Sequence, residues 1–275
     1  MPAPLDYDWW WDASWNPVGG CSYVSPGCKN CFVPSWLASH THTHREDIHR
    51  DVITRANGRA IFNSKLTALP DGHPLWTWPL TWLGAERPKL GPGKPSLIFV
   101  ADMSDLFHEQ RPDEIIDRVC ATIALSDHIG LLITKRTRRM AEYFAAQKPH
   151  TVLWLGFSTE RRQEFDERWP DMCALAGVGW KVFVSIAPML GPVTLPADFL
   201  ALGRRTWCIA SGEQRIPHTC TRDMDPNWAR GVRDQCAPAG HSLFHETNGE
   251  RRTDPARFTN TTVSIGVIGA TVMLT

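Results

Sequence analysis

Short apolar segments recur along the chain, and most are followed by a polar turn and then by a segment with helical periodicity. Uninterrupted apolar runs of four to six residues are typical of strands buried on both faces, as in a parallel sheet. The predicted strands are residues 8–16, Pro95–Ala101, Ile129–Thr134, Thr151–Gly156, Lys181–Ser185, Arg205–Ala210 and Ser242–His245.

The segments between the predicted strands carry helix signals. Pro112 and two acidic residues have the composition of a first helical turn, and apolar residues then recur every three to four positions. Residues 137–147 and 160–175 have a similar pattern. About seven strands alternating with helices predict an α/β fold, either a (β/α) barrel or a doubly wound sheet.

The last predicted helix has distinct end signals. Asp225 is its predicted N-cap, Pro226 occupies the first helical position, and Gly240 follows its end. The segment therefore predicts a helix with well-defined bounds just before the last strand.

Two regions fall outside this alternation. Residues 40–94 are rich in His, Pro, Gly and Trp and predict an excursion with a hairpin. Residues 253–275 form a tail that carries no charge from Thr259 onward, which suits an edge strand or an exposed tail. We expect residues 1–252 to form a single domain.

The amino-acid composition excludes several classes of protein. Lys plus Arg and Asp plus Glu both number 29, so the chain lacks a general basic field for nucleic acid, although a local patch remains open. Hydrophobic residues at 43% exclude a disordered chain. We find no uninterrupted apolar run long enough for a membrane span and no signal-peptide pattern, so we expect a cytoplasmic protein without a membrane partner.

Three cysteines lie close together in the sequence. Cys21, Cys28 and Cys31 are spaced C-x6-C-x2-C, and Ser25, Pro26, Gly27 and Asn30 shape a tight loop around them. In a reducing compartment cysteines are thiols or ligands before they are disulfides. Zinc prefers four ligands, whereas three thiolates can hold a [4Fe–4S] cluster with one open iron. The spacing alone leaves an iron–sulfur cluster, a zinc site and an incidental arrangement open.

Polar residues follow the predicted strands, and in a parallel barrel the carboxyl ends of the strands meet at one face. Lys135 or Arg136 is a candidate to bind a carboxylate or phosphate, and an ion pair at a strand end is the alternative. Asp105 and His108 are candidates for proton transfer, with a loop role as the alternative. The full set is Asp102, Ser104, Asp105, Thr134, Lys135, Arg136, Ser158, Glu160, Ser185, Glu213 and Glu246.

Two further features allow competing interpretations. His40, His42 and His44 are either metal ligands or solvated side chains, and we favour the latter because no carboxylate motif accompanies them. The tryptophans between Trp9 and Trp82 either stack on a nucleobase or fill the core. Neither a dinucleotide-binding nor a P-loop motif is present, and we find no nucleophile elbow.

The motifs around the cysteines resemble a phage-associated three-Cys-motif family of unknown function that is regarded as radical-SAM-like. The likeness covers roughly residues 12–250. It is carried by Trp15–Cys21, Ser25–Cys31, Ala101–Glu109, Leu132–Arg136, Leu155–Glu160, Val184–Pro192, Ile209–Glu213 and Met224–Cys236.

The resemblance implies a partial (β/α) TIM-like barrel with the three-cysteine loop after its first strand. It implies that Cys21, Cys28 and Cys31 hold a [4Fe–4S] cluster and that S-adenosyl-L-methionine binds its open iron. Asp102, Lys135, Glu160 and Glu213 are then candidates to bind this cofactor.

Reductive cleavage of S-adenosylmethionine would start radical chemistry on an unknown substrate. This chemistry needs an electron donor, and a partner protein is one candidate source. The family's phage association suggests a nucleic acid or nucleotide as the substrate. The competing hypothesis is a non-catalytic protein on the same fold that binds zinc or a structural cluster and associates with nucleic acid.

Overall fold

The computed structural model describes residues 10–39, 46–214 and 221–246. Its strands are β1 (Ala13–Trp15), β2 (Val18–Gly19), β3 (Ile53–Ala56), β4 (Arg59–Phe62), β5 (Thr67–Ala68), β6 (Leu97–Val100), β7 (Ile129–Thr134), β8 (Leu153–Thr159), β9 (Lys181–Ile186), β10 (Trp207–Ser211) and β11 (Ser242–Glu246).

A seven-stranded parallel sheet dominates the fold. It contains β1 and β6 to β11 in chain order, and every neighbouring pair is parallel. Within the described residues, β1 and β11 are the two open edges of this sheet. The architecture therefore confirms the predicted α/β fold of a partial barrel, in which each parallel connection passes through the layer outside the sheet.

The helices are α1 (Val33–Ser39), α2 (Glu46–His49), α3 (Trp78–Thr81), α4 (Asp113–Ala124), α5 (Thr137–Phe144), α6 (Arg162–Gly177), α7 (Ala197–Leu200) and α8 (Pro226–Ala239). The end signals of α8 act as predicted: Asp225 accepts a hydrogen bond from the Asn227 N–H at 2.8 Å, and Gly240 adopts the left-handed conformation with φ 74°. At α4 the helix begins one residue later than predicted, because Pro112 is the N-cap.

The two faces of the sheet bury different side chains because residues alternate along a strand. The outer face packs on the helices through residues such as Leu155 and Val184. The inner face carries an aromatic cluster with Trp10 and the alternating positions of neighbouring strands, namely Leu97, Ile129, Leu131, Trp154, Phe183, Trp207 and Ile209. The first strand is shorter than predicted because Trp10 and Trp11 precede it and pack their rings in and around this cluster.

The interior has little free space at its centre and becomes polar toward the carboxyl ends of the strands. A Cβ added at Gly156 would lie 2.5 Å from Phe183 Cζ and 2.8 Å from Ile133 Cγ1, so only glycine fits there. Two residues further along the same face, Ser158 of β8 is paired with Ser185 of β9. The barrel is therefore closed by apolar side chains at its centre and offers hydroxyl groups above them.

The excursion contains the predicted hairpin. The strands β3 and β4 are antiparallel, and Asn57 and Gly58 between them both have positive φ, as a two-residue hairpin turn requires. Ile53 and Phe62 pack against a small apolar cluster of Val33, Leu37, Val52 and Met103.

The histidines His40, His42 and His44 and the tail 253–275 lie outside the described residues.

Most described tryptophans belong to the core. Trp10, Trp15 and Trp76 are buried, and Trp78 stacks on Trp82 with ring centroids 5.0 Å apart. These tryptophans therefore pack in the core, which was one of the two interpretations of the sequence.

In the described part of the chain, no helix combines the length and the apolar character that crossing a membrane demands.

Candidate functional site at the carboxyl ends of the strands

The three clustered cysteines lie on one loop, Gly20–Cys31, which we call the cysteine loop. It connects β2 to the start of α1 and contains a short 3-10 turn at Pro26–Cys28. Side chains that follow β6, β7, β8 and β10 bind this loop, as the following paragraphs describe. The loop therefore lies across the carboxyl ends of the parallel strands, where the sequence predicted it.

Two of the three thiols have raised pKa values. Burial is the main cause that raises the pKa of Cys21 to about 12, and the charges of Cys31 and Cys28 raise it further. Burial also raises the pKa of Cys31 to about 11, with a smaller contribution from Cys28. All three are free thiols. Among the residues that the structure describes, no three His, Cys, Asp or Glu side chains are grouped closely enough to hold one metal ion.

Two cations lie beside these thiols. Arg136 Nη1 is 3.9 Å from Cys21 Sγ, and its charge lowers the pKa of that thiol against the effect of burial. The charge of Lys135 acts on Cys31 in the same direction. Both residues follow β7 directly, so the end of one strand provides the positive charge beside the thiols.

Glu160 fastens the middle of the cysteine loop. This carboxylate is fully buried; it accepts a hydrogen bond from Ser25 Oγ at 2.6 Å and forms ion pairs with Lys135 at 2.7 Å and Arg168 at 3.0 Å. Burial would raise the pKa of Glu160, but the charges of Lys135 and Arg168 outweigh burial and lower it. Glu160 is therefore an anion at neutral pH that holds one loop residue and two cations.

Gly27 is required where the loop passes over Glu160. A Cβ at this position would clash with Glu160 Oε1 and would lie 2.6 Å from its Cγ. The absence of a side chain lets the backbone of the loop approach the carboxylate.

The variant Gly27→Ala is expected to lose about 1–3 kcal/mol of unfolding free energy, because the new methyl group must displace a buried, hydrogen-bonded carboxylate. Urea unfolding measures the loss. Gly231→Ala in α8 is the matched control, since its Cβ would meet nothing within 4 Å. Equal stability of the two variants would contradict the close packing of Gly27 on Glu160.

Glu213 fastens the end of the same loop. It is buried after β10 and accepts hydrogen bonds from Asn30 Nδ2 at 2.9 Å and from the backbone N–H of Arg222 at 2.8 Å, and it forms an ion pair with the Arg222 guanidinium. Burial would raise the pKa of Glu213, but the hydrogen bonds from Arg222 and Asn30 lower it. Asn30 also accepts a hydrogen bond from Arg59 Nη2 at 3.2 Å, which joins the hairpin to the loop.

A buried ionic group holds the start of the loop. Arg136 Nη1 donates to Asp105 at 2.7 Å, and Arg136 Nη2 donates to Ser22 Oγ at 2.7 Å. Asp105 also accepts hydrogen bonds from Thr134 Oγ1 at 2.8 Å and from the Phe107 N–H at 2.9 Å. The carboxylate is thus fully engaged in orienting Arg136 and the turn after β6.

His108 contacts the same part of the loop. Its Nδ1 accepts from the Gln110 N–H at 3.2 Å, which leaves Nε2 to carry the proton of the neutral ring, 2.9 Å from Ser22 Oγ. Burial and the charge of Arg136 lower the pKa of His108. The distance from His108 Nδ1 to Glu109 Oε2 is 3.8 Å, too long for a hydrogen bond, so Ser22 rather than Glu109 is the close partner of the ring.

Asp102 lies just after β6, beside β1. It accepts hydrogen bonds from Ser14 Oγ at 2.9 Å and from the Asn16 side chain, both next to or within β1. It therefore joins the ends of β1 and β6.

The structure adds two residues that sequence reasoning missed. Arg168 and Arg222 neutralise the two buried glutamates, and both are distant in sequence from the cysteines. The only sequence signal for Arg168 was its place eight residues after Glu160 in the predicted helix 160–175, and the structure shows it buried. The sequence left open whether Lys135 and Glu160 bind a ligand or belong to ion pairs. In the structure they form an ion pair with each other.

The other described cysteines lie apart from the loop. Cys120, Cys208 and Cys236 are buried, whereas Cys173 on α6 is half-buried, and its thiol lies 3.6 Å from an Asp198 oxygen.

Three comparisons with known proteins show what this chain is similar to. None of the curated proteins matches this chain. Among solved structures, a spore photoproduct lyase variant with bound AdoMet and dinucleoside spore photoproduct is similar over 85% of this chain and 76% of that chain, with 11% sequence identity and a TM-score of 0.46. The model of a family described as protein of unknown function (DUF5131) matches residues 8–266. The chain therefore belongs to the DUF5131 family.

Proposed function

We propose that this protein is a radical-SAM-like enzyme whose cysteine loop holds a [4Fe–4S] cluster through Cys21, Cys28 and Cys31. One observation carries the proposal: three free thiols sit on a loop that buried ionic groups fasten across the carboxyl ends of a parallel barrel. This is the end at which barrel enzymes place their active sites.

The chemistry of the three donors supports such a cluster. Thiolates are the usual ligands of iron–sulfur clusters, and each one binds its own iron, so three cysteines leave one iron open. The charge of Cys28 acts on both Cys21 and Cys31, but the three thiols as the structure describes them are not grouped closely enough to hold one metal ion, so the proposal requires the loop to draw them together when the cluster binds. Lys135 and Arg136 supply positive charge beside a group that would be anionic.

A bound cluster would supply the electron that splits the sulfonium of S-adenosylmethionine into methionine and a 5′-deoxyadenosyl radical. The protein contributes binding, orientation and exclusion of water. In this proposal Lys135, Glu160 and Glu213 support the cofactor through the loop, since their charged atoms are engaged with the loop and its cations. Asp102 sets the geometry of the barrel mouth.

The remaining candidates take different roles in this proposal. Asp105 orients Arg136 beside Cys21 and does not itself exchange a proton. His108 holds a proton on Nε2 at the edge of the loop, next to Ser22, and is the group available for proton transfer. Ser158 and Ser185 present hydroxyls to a polar ligand inside the barrel.

Reductive cleavage of S-adenosylmethionine tests the proposal. Protein purified without oxygen, given dithionite and S-adenosylmethionine, is expected to release 5′-deoxyadenosine, which chromatography detects. Cys28→Ala is expected to release none, and Cys173→Ala is expected to match the wild type. Colourless wild-type protein with one zinc per chain would contradict the proposal and favour a structural metal site.

A further inference from the structure

Three exposed cations lie on or beside the cysteine loop. Lys29 belongs to the loop, Arg59 of the hairpin donates to Asn30 of the loop, and the backbone of Lys65 packs against Gly20 at the start of the loop. All three side chains are exposed. We call Lys29, Arg59 and Lys65 the basic rim.

A second feature of the basic rim is its lack of ion pairs among the described residues. Within the described residues, none of its three members forms an ion pair with a carboxylate, and Arg59 donates to a neutral amide instead. Several other cations are paired with carboxylates, namely Arg118 with Asp71, Arg138 with Glu142, Arg162 with Asp166 and Arg233 with Asp234. In a chain with zero net charge, unpaired cations on one side of a site create a local field that attracts an anion.

An exposed aromatic ring accompanies this charge. Tyr23, between Cys21 and Cys28, is 66% exposed, and Val24 and Ile61 beside the rim are also exposed. Tyrosine at such exposure has no packing role in the folded chain. Cations next to an exposed aromatic ring are the combination with which proteins bind single-stranded nucleic acid, since the cations contact phosphates and the ring stacks on a base.

We propose that the basic rim and Tyr23 bind a single-stranded nucleic acid and present it to the cysteine loop. A duplex hides the faces of its bases, whereas a single strand offers both phosphates and bases. This inference gives a substrate class to the enzyme proposed above. Only the claim that the bound strand is a substrate rests on that proposed function, because binding of the strand can be measured without cleavage of S-adenosylmethionine.

Fluorescence anisotropy tests the inference. The probe is a fluorescein-labelled oligothymidylate of roughly 15 nucleotides, titrated with anoxically purified protein at several salt concentrations, with oligouridylate in a parallel arm. In the triple variant Lys29→Gln, Arg59→Gln, Lys65→Gln, the slope of log affinity against log salt is expected to fall in magnitude by about 2, at about 0.7 per phosphate contact.

Tyr23 gives an independent readout. Tyr23→Ala is expected to weaken binding about tenfold without changing the salt slope, whereas Tyr23→Phe retains the ring and the affinity. The charge-matched control is Lys94→Gln, Arg138→Gln, Lys148→Gln, whose residues are exposed and named nowhere in the proposed site. Binding of either polymer that the rim variant weakens and the control variant does not supports the inference.

Three results would overturn the inference: no binding of either polymer at low salt, equal losses in the rim and control variants, or displacement of the probe by polyglutamate with no effect of Tyr23→Ala. The last result would assign the rim to an acidic protein. Binding without release of 5′-deoxyadenosine would count against the proposed chemistry alone, and release without binding would count against this inference alone.

Discussion

Glu160→Gln is expected to lower the free energy of unfolding by about 3 kcal/mol. The substitution keeps the shape of the side chain but removes a charge that is fully buried between Lys135 and Arg168. Removing one member of a buried ionic group leaves the others in a medium of low polarity without compensation. Chemical denaturation of the wild type and the variant at neutral pH measures the difference.

The same variant has a defined dependence on pH. The pKa of Glu160 in the folded protein lies below its ordinary value of 4.5, so the folded state favours the anion. The stabilisation is therefore complete above about pH 4.5 and is lost as the pH falls through the folded pKa. We expect the difference between wild type and Glu160→Gln to shrink in that acidic range.

Glu167→Gln is the matched control for the charge change. Glu167 lies on α6 near Glu160 but is exposed, and its contact is an exposed hydrogen bond from Gln163. We expect this variant to change stability by less than about 0.5 kcal/mol. If Glu160→Gln were as mild as this control, the ionic group would not be what holds the cysteine loop in place.

Local sequence patterns determine most of the fold. Each buried parallel strand is visible as an apolar run because both of its faces are covered, and α8 is marked at both ends by Asp225 and Gly240. The bounds shift where tertiary packing competes, as at β1, where Trp10 and Trp11 contribute rings to the barrel interior. A run of apolar residues does not show which of its residues form the backbone hydrogen bonds of the sheet.

The candidate site was predictable in its position and only partly in its contacts. Strand alternation and parallel topology place Asp105, Lys135, Glu160 and Glu213 at one edge. The pairs they form join residues far apart in sequence, such as Ser25 with Glu160 and Asn30 with Glu213. Such pairing depends on the length and the rotamer of each side chain. The hydrophobic periodicity of the sequence carries no information about either.

Cys28→Ala is expected to abolish binding of the iron–sulfur cluster. The two remaining thiolates cannot supply the third ligand that the proposed cluster needs. Because Cys28 is only half-buried, truncation of its side chain is expected to leave the fold intact. Unfolding of the metal-free wild type and variant checks that the loss of the cluster is not a loss of structure.

Cys173→Ala controls for the removal of a thiol as such. Cys173 is also half-buried, but it lies on α6 next to Asp198, away from the loop. We expect it to bind as much iron as the wild type.

Iron and acid-labile sulfide analysis of anoxically purified protein tests most directly whether the cysteine loop holds a cluster. The account predicts about four iron and four sulfide per chain in the wild type and in Cys173→Ala, and close to none in Cys28→Ala. Full iron and sulfide content in Cys28→Ala, or a wild-type protein that contains zinc and no sulfide, would contradict it.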